Sequence, residues 1–251
     1  MNLSVNYNKL VEKDKVSSKL NINFVARTKC MGMEYFLRGL DEADKVVTLA
    51  MNFNGGSFAD TFFYSVSNSL SWLPLGLLFC FLLYKKHGDN WRRMVAILFG
   101  LIVTVTLCDQ ISASIIKPLV MRPRPSHCPE ICWLLHYVNG YHGGHYGFVS
   151  SHAANAFGGV AYCCIIIRRW RFTVLSFLFA AVVSYSRIYL GVHYFGDVLC
   201  GAVLGLFIGS SMSLIVIHLP FVVVKKPLLK SEVSNYSAGW SIVFLRPPVI
   251  C

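Results

Sequence analysis

The sequence predicts an all-α fold, an integral membrane helical bundle of about five transmembrane helices with an N-terminal interfacial amphipathic helix. Three observations predict it. The 251 residues are 55% hydrophobic and 14% charged, whereas soluble domains carry about 25% charged residues. Apolar runs of bilayer length recur along the chain. The basic residues gather at the ends of those runs instead of forming the basic-aromatic stripe that tracks a nucleic acid backbone, so no nucleic acid partner is expected. Aromatics at 14% and only 9 prolines exclude disorder and collagen-like order.

Residues 1–30 come first. Lys9, Lys13, Lys15, Lys19, Arg27 and Lys29 stand there against Glu12 and Asp14, with no apolar core of a signal peptide. Such a tail resists translocation. It is expected to be an extension outside the folded unit, with translation starting at Met31 or Met33. From Glu34 to Met51, Phe36, Leu40, Val47 and Met51 recur at helical spacing between Arg38, Asp41, Glu42, Asp44 and Lys45. This is the pattern of a helix lying in the interface, ended by Asn54-Gly55-Gly56.

A membrane helix needs about 20 predominantly apolar residues. Thr61–Tyr84 has no charge, Met94–Ile116 has only Asp109, and Gly147–Ile167 has only His152. Phe172–Ser186 continues apolar past Arg187 to Val192, and Val198–Val224 carries only His218. These five runs define a domain over 31–224, followed by a cytoplasmic tail at 225–251. Ten basic residues flank the runs on one side (Lys85, Lys86, Arg92, Arg93, Arg168, Arg169, Arg171, Lys225, Lys226 and Lys230), and four on the other. The positive-inside rule makes the first side cytoplasmic.

The four on the outer side are Lys117, Arg122, Arg124 and Arg187. Near them stand Ser150, Ser151 and His152 at the start of the third run, and His193 and Asp197 between the fourth and fifth. Cations, hydroxyls and histidines converging at a membrane surface suit a ligand with several anionic oxygens. Arg binds phosphate oxygens through its planar fork, and the start of an apolar helix after Ser150 adds backbone N–H donors. His193 and Asp197 are spaced i, i+4, so the carboxylate can hold one ring nitrogen protonated and leave the other as a nucleophile. His152 can protonate a leaving group.

In these residues the chain resembles the type 2 phosphatidic acid phosphatase superfamily, whose signature is K-x6-R-P, then P-S-G-H, then S-R-x5-H-x3-D. Lys117 to Arg124-Pro125 matches the first block, and Ser186-Arg187, His193 and Asp197 match the third. The middle block keeps Ser150 and His152 but has Val149 for Pro and Ser151 for Gly, which removes a preset φ and leaves the backbone donors in place. The resemblance implies a phosphatase that uses no metal and no cofactor. His193 would be phosphorylated, oriented by Asp197, while Lys117, Arg124, Ser150, Ser151 and Arg187 hold the phosphoryl oxygens and His152 protonates the leaving group. It also implies a lipid phosphate substrate in the bilayer of a bacterial inner membrane, with the site facing the periplasm. The expected substrate is the 4'- or 1-phosphate of lipid A. Undecaprenyl pyrophosphate, phosphatidylglycerophosphate and a lipid phosphotransferase reaction are the alternatives.

Three features lie outside the signature. Arg122 reads equally as a residue that supports the phosphate contacts from behind or as a surface charge. Asp109, two turns before Lys117, reads as a structural hydrogen bond that orients Lys117. The loop Ser126–His145 holds His127, Cys128, Cys132, His136, His142 and His145, in spacings that match no common zinc pattern. No metal site is expected there, and a Cys128–Cys132 disulfide stays open.

Overall fold

The structure, a computed structural model, describes residues 33–219, and all its regular elements are helical. The extension at 1–30 and the tail at 225–251 lie outside the described residues.

Helix α1 covers residues 33–51, as its spacing predicts, but its amphipathicity faces the other way. Lys45 and Thr48 are its buried positions, with Asn52 buried directly after its end, while Phe36, Leu40 and Val47 are exposed. Polar partners elsewhere in the chain explain the inversion, and the apolar side is left to meet lipid.

The run Thr61–Tyr84, expected as one span, is broken. Helix α2 (Gly56–Val66) and helix α3 (Leu73–His87) are separated by a 3-10 turn at Ser69–Trp72 and bent against each other. Local side-chain bonds stop the first helix. Ser71 Oγ donates to the Val66 carbonyl at 2.7 Å, and Asn68 Oδ1 accepts from the Leu70 N–H at 3.1 Å. Pro74 then sits in the first turn of α3, where its missing N–H costs nothing. At the far end of α3, Lys86 Nζ donates to the Ile166 and Ile167 carbonyls at 2.7 and 3.1 Å. One of the cations that follow the first apolar run therefore caps a neighbouring helix.

Helix α4 (Trp91–Val120) runs 30 residues with a π-helical stretch at Ile111–Ile116. Helix α5 (Ser151–Ile167), helix α6 (Trp170–Tyr189) and helix α7 (Phe195–Ile217) complete the bundle. Helices α4, α6 and α7 are each long and apolar enough to cross a membrane, and α2 with α3 could form one bent span. At 17 residues α5 is shorter, but it is buried on almost every side and forms the axis of the bundle. Val95, Phe99, Leu178, Val203 and Phe207 line the exposed outer surface, as lipid-facing positions should. The protein is a multi-pass membrane protein.

The seam between α5 and α7 positions the chemistry. A Cβ at Gly205 would lie 2.2 Å from the Ala154 carbonyl, and one at Gly209 would lie 2.1 Å from that of Gly158. Only glycine allows this approach, the small-residue packing found where apolar helices meet without a hydrophobic driving force. The Ser150 N–H also donates to the Asp197 carbonyl at 2.9 Å. The start of α5 is thereby locked to the start of α7.

Candidate active site

Each motif reaches the site from a different element. The π-helical stretch precedes Lys117, and a π-bulge is a frequent mark of function within an α-helix. Lys117 Nζ donates to Ser151 Oγ at 2.9 Å, and Ser112 Oγ does so at 2.8 Å. Arg124 leaves the helix end in a short bridge of Pro123 to Tyr146, with Nε donating to the Tyr146 carbonyl at 3.1 Å. Arg187, at the end of α6, donates to Ser67 Oγ and to Tyr141 Oη, and its Nε has no partner among the described residues. His193 follows in the loop before α7.

These groups meet around one cavity of about 700 Å³. Lys117, Arg124, Ser151, His152, Arg187 and His193 line its polar end. The rest of the wall is mostly apolar and runs between α3, α4, α5 and α6, past Leu75, Val105 and Val160 to Phe79 and Phe172. The structure thus brings together seven of the eight residues singled out in the sequence, with Asp197 directly behind His193. Ser150 is the exception. It is fully buried and does not line the cavity; its Oγ serves as the N-cap of α5, accepting from the Ala153 N–H at 3.4 Å.

His193 Nδ1 lies 3.4 Å from Asp197 Oδ2, and both side chains are inaccessible to solvent. The i, i+4 pairing read from the sequence is present, though long. The Tyr194 N–H shares the same carboxylate oxygen at 3.1 Å. The other oxygen accepts from Arg122 Nη1 at 2.9 Å.

Arg122 stands behind the cavity and not on the surface, bonded to the carboxylate that faces His193. It also donates to Asp44 and Asp41, each at 2.8 Å, and stacks on the Tyr194 ring 3.8 Å from its centroid. Burial works against its charge, but Asp197, Asp44 and Asp41 outweigh that and hold the guanidinium above its ordinary pKa. The same face of α1 caps α7 from outside. Asp44 Oδ1 accepts from the Gly196 N–H at 2.7 Å, and Thr48 Oγ1 from the Phe195 N–H at 3.0 Å. Tyr141 and Ser67, which hold Arg187, were also not singled out; a tyrosine in a glycine-rich loop and a serine in an apolar run carry no distinguishing pattern.

The loop cluster does not gather into a metal cage among the described residues. His136 instead pairs with Asp60 at 2.8 Å, and Tyr189 Oη donates to the same oxygen at 2.6 Å. Cys128 and Cys132 are free thiols. Asp109 does not reach Lys117 by a hydrogen bond; its partner is Asn155 Nδ2 at 3.4 Å. The π-helical stretch between Asp109 and Lys117 breaks the regular two-turn register that would align them.

Burial, reinforced by Arg124, Arg187 and Lys117, pushes the pKa of His193 well below the imidazole value of 6.5. This favours the neutral ring, the form in which an imidazole can act as a nucleophile. Because the unfolded chain binds this proton more readily, the group's contribution to stability is complete above pH 6.5 and declines on acidification below it. Single-turnover labelling of the protein by a phosphate ester should therefore persist at mildly acidic pH, with no inflection at 6.5 from this group. A pH profile of labelling that halves at 6.5 would contradict the assigned environment.

Residues 93–219 match the PAP2 superfamily. A lipid A 4'-phosphatase of Porphyromonas gingivalis is 34% identical over 177 residues, covering 70% of this chain and 72% of that protein. A lipid A 4'-phosphatase of Bacteroides thetaiotaomicron is 36% identical over 173 residues, covering 68% and 75%. The crystal structure of a transmembrane PAP2-type phosphatidylglycerolphosphate phosphatase from Bacillus subtilis aligns with a TM-score of 0.49 at 19% identity, covering 70% of this chain and 86% of that one.

Proposed function

The chain belongs to the PAP2 superfamily as a membrane lipid phosphatase, and from that premise we propose that it removes the 4'-phosphate of lipid A on the periplasmic side of the inner membrane. The observation that carries the reading is the cavity itself. A cluster of three cations and two histidines closes one end, and a mostly apolar wall within the helix bundle forms the rest. A phosphate on a hydrophobic anchor fits such a space, and a soluble phosphate ester would leave most of it unfilled. The substrate name rests on the two relatives called lipid A 4'-phosphatase.

In the proposed reaction, Arg124, Arg187 and Lys117 take the phosphoryl oxygens, and the Ser151 N–H at the start of α5 adds a donor. Asp197 accepts a hydrogen bond from the Nδ1–H of His193, which keeps the proton on Nδ1 and leaves Nε2 to attack phosphorus in line. The bond to the sugar oxygen breaks as His152 delivers a proton to it. A water then attacks the phosphohistidine with His152 taking up its proton, which frees inorganic phosphate and restores both rings. The cations are fixed before charge develops on the oxygens, which is where such preorganisation lowers a barrier.

The orientation is supported by the charge asymmetry of the chain. Lys85, Lys86, Arg92, Arg93, Arg168 and Arg169 lie at the helix ends away from the cavity's charged end. A direct test offers the purified protein bisphosphorylated lipid A, undecaprenyl pyrophosphate and phosphatidylglycerophosphate in parallel, with EDTA present. The expected result is preferred loss of the 4'-phosphate from lipid A, with free phosphate as co-product, read by mass spectrometry. A higher kcat/KM on either other lipid, or phosphate passed to an added alcohol instead of water, would overturn the assignment.

A further inference from the structure

Below the phosphate-binding end, a polar pair interrupts the mostly apolar wall at membrane depth. Asp109 of α4 and Asn155 of α5 both line the cavity. Asn155 follows His152 by three residues on α5, one turn deeper, or about 4.5 Å along the axis. The pair is poorly satisfied. The contact between Asn155 Nδ2 and Asp109 Oδ1 is long at 3.4 Å, and Asn155 Oδ1 is buried with no partner among the described residues. Lys117, the nearest cation along α4, is engaged with Ser151. A carboxylate within a membrane bundle is costly unless paired, and one long bond from a neutral amide compensates little of that cost.

We propose that Asp109 and Asn155 form a second, polar subsite that receives a hydroxyl or amide N–H of the lipid bearing the phosphate. The proposal rests on the lipid-phosphatase reading above and names what that site selects besides phosphate. A carboxylate with a carboxamide beside it offers more acceptor than donor capacity, so the complementary ligand group is a donor. Its negative charge also repels a phosphate from this depth, which holds the phosphoryl group up among the cations. The two subsites together fix how deep the lipid sits and which of its phosphates reaches His193. The walls beyond are mostly apolar, and a Cβ added at Gly159 would lie 3.8 Å from Val105 and 3.9 Å from Leu101, which suits the acyl chains.

The test uses two lipids that share a phosphate monoester and matched chains. Ceramide 1-phosphate carries an amide N–H and a hydroxyl close to its phosphate, and phosphatidic acid carries neither. Dissociation constants are measured by equilibrium binding to His193→Ala protein, where no turnover depletes the ligand, with and without Asp109→Asn or Asn155→Ala. A lost hydrogen bond to a charged group corresponds to roughly ten-fold to a hundred-fold in affinity. Each substitution is expected to weaken ceramide 1-phosphate by a factor in that range and at least ten-fold more than phosphatidic acid. Equal weakening of both lipids, or no weakening of the donor-bearing one, would overturn the subsite. Phosphate release by the protein with His193 intact reports separately on the phosphatase reading, since a lipid that binds selectively without turnover would count against that reading and not against the subsite.

Discussion

Replacing His193 by alanine is expected to lower kcat on a lipid phosphate by on the order of 10^5 to 10^6, the loss seen when a covalent nucleophile is removed from an enzyme whose catalytic groups act as a unit. The size follows from the position of the ring. Its side chain is 1% exposed between Asp197 and the cluster of Arg124, Arg187 and Lys117, and no other imidazole lies against Asp197 to replace it among the described residues. The remaining cluster still binds the anion, so KM should change far less than kcat. The folded state should survive, because Asp197 retains Arg122 and the Tyr194 N–H as partners. Two measurements decide. Phosphate release falls to background, and rapid acid-free quenching of the unsubstituted protein with labelled lipid traps a base-stable, acid-labile phosphoryl group that the variant lacks. Undiminished release from His193→Ala would point to hydrolysis by direct attack of water.

The apolar runs and the signature residues were legible because both are local. About 20 apolar residues identify a span whatever lies around it, and His193 with Asp197 share a helical face by spacing alone. The break between α2 and α3 escaped the same reading, since Asn68 and Ser71 end a helix through bonds to nearby carbonyls and N–H groups without changing the hydropathy of the run. The burial of the polar side of α1 was hidden for a different reason. Asp44 meets Gly196 at a separation of 152 residues, and no periodicity within 33–51 contains that partner. Arg122 was ambiguous because a guanidinium beside a phosphate site reads the same whether it faces the ligand or three carboxylates. Ser150 matched its motif position, and only the geometry separates a serine that caps a helix from one that contacts substrate.

Those three carboxylates give the second large expectation. Arg122→Ala is expected to cost about 3–5 kcal/mol of stability, the usual result of removing one partner of a buried ion pair, and to lower kcat by about 10^3 to 10^4, comparable to losing the acid that orients a catalytic histidine. The cause of the second effect is the position of Asp197, which is fully inaccessible and bonded through one oxygen to Arg122 and through the other to the Tyr194 N–H and His193. Without the guanidinium its carboxylate faces no cation on that side and is free to turn away from the imidazole. Asp44 loses a partner too, although its other oxygen still holds the Gly196 N–H. Arg122→Lys separates orientation from folding. A single ammonium keeps the charge but lacks the fork that reaches Asp41, Asp44 and Asp197 together, so most of the melting temperature should return while kcat stays below that of the unsubstituted protein. Asp41 is 43% exposed, so Asp41→Asn, which weakens only its solvent-screened pairs with Arg122 and Lys45, should alter stability by less than about 1 kcal/mol. A variant with normal kcat and a lowered melting temperature would restrict Arg122 to fastening α1. A fall in kcat with KM little changed would place residues 33–51 within the machinery that aims His193.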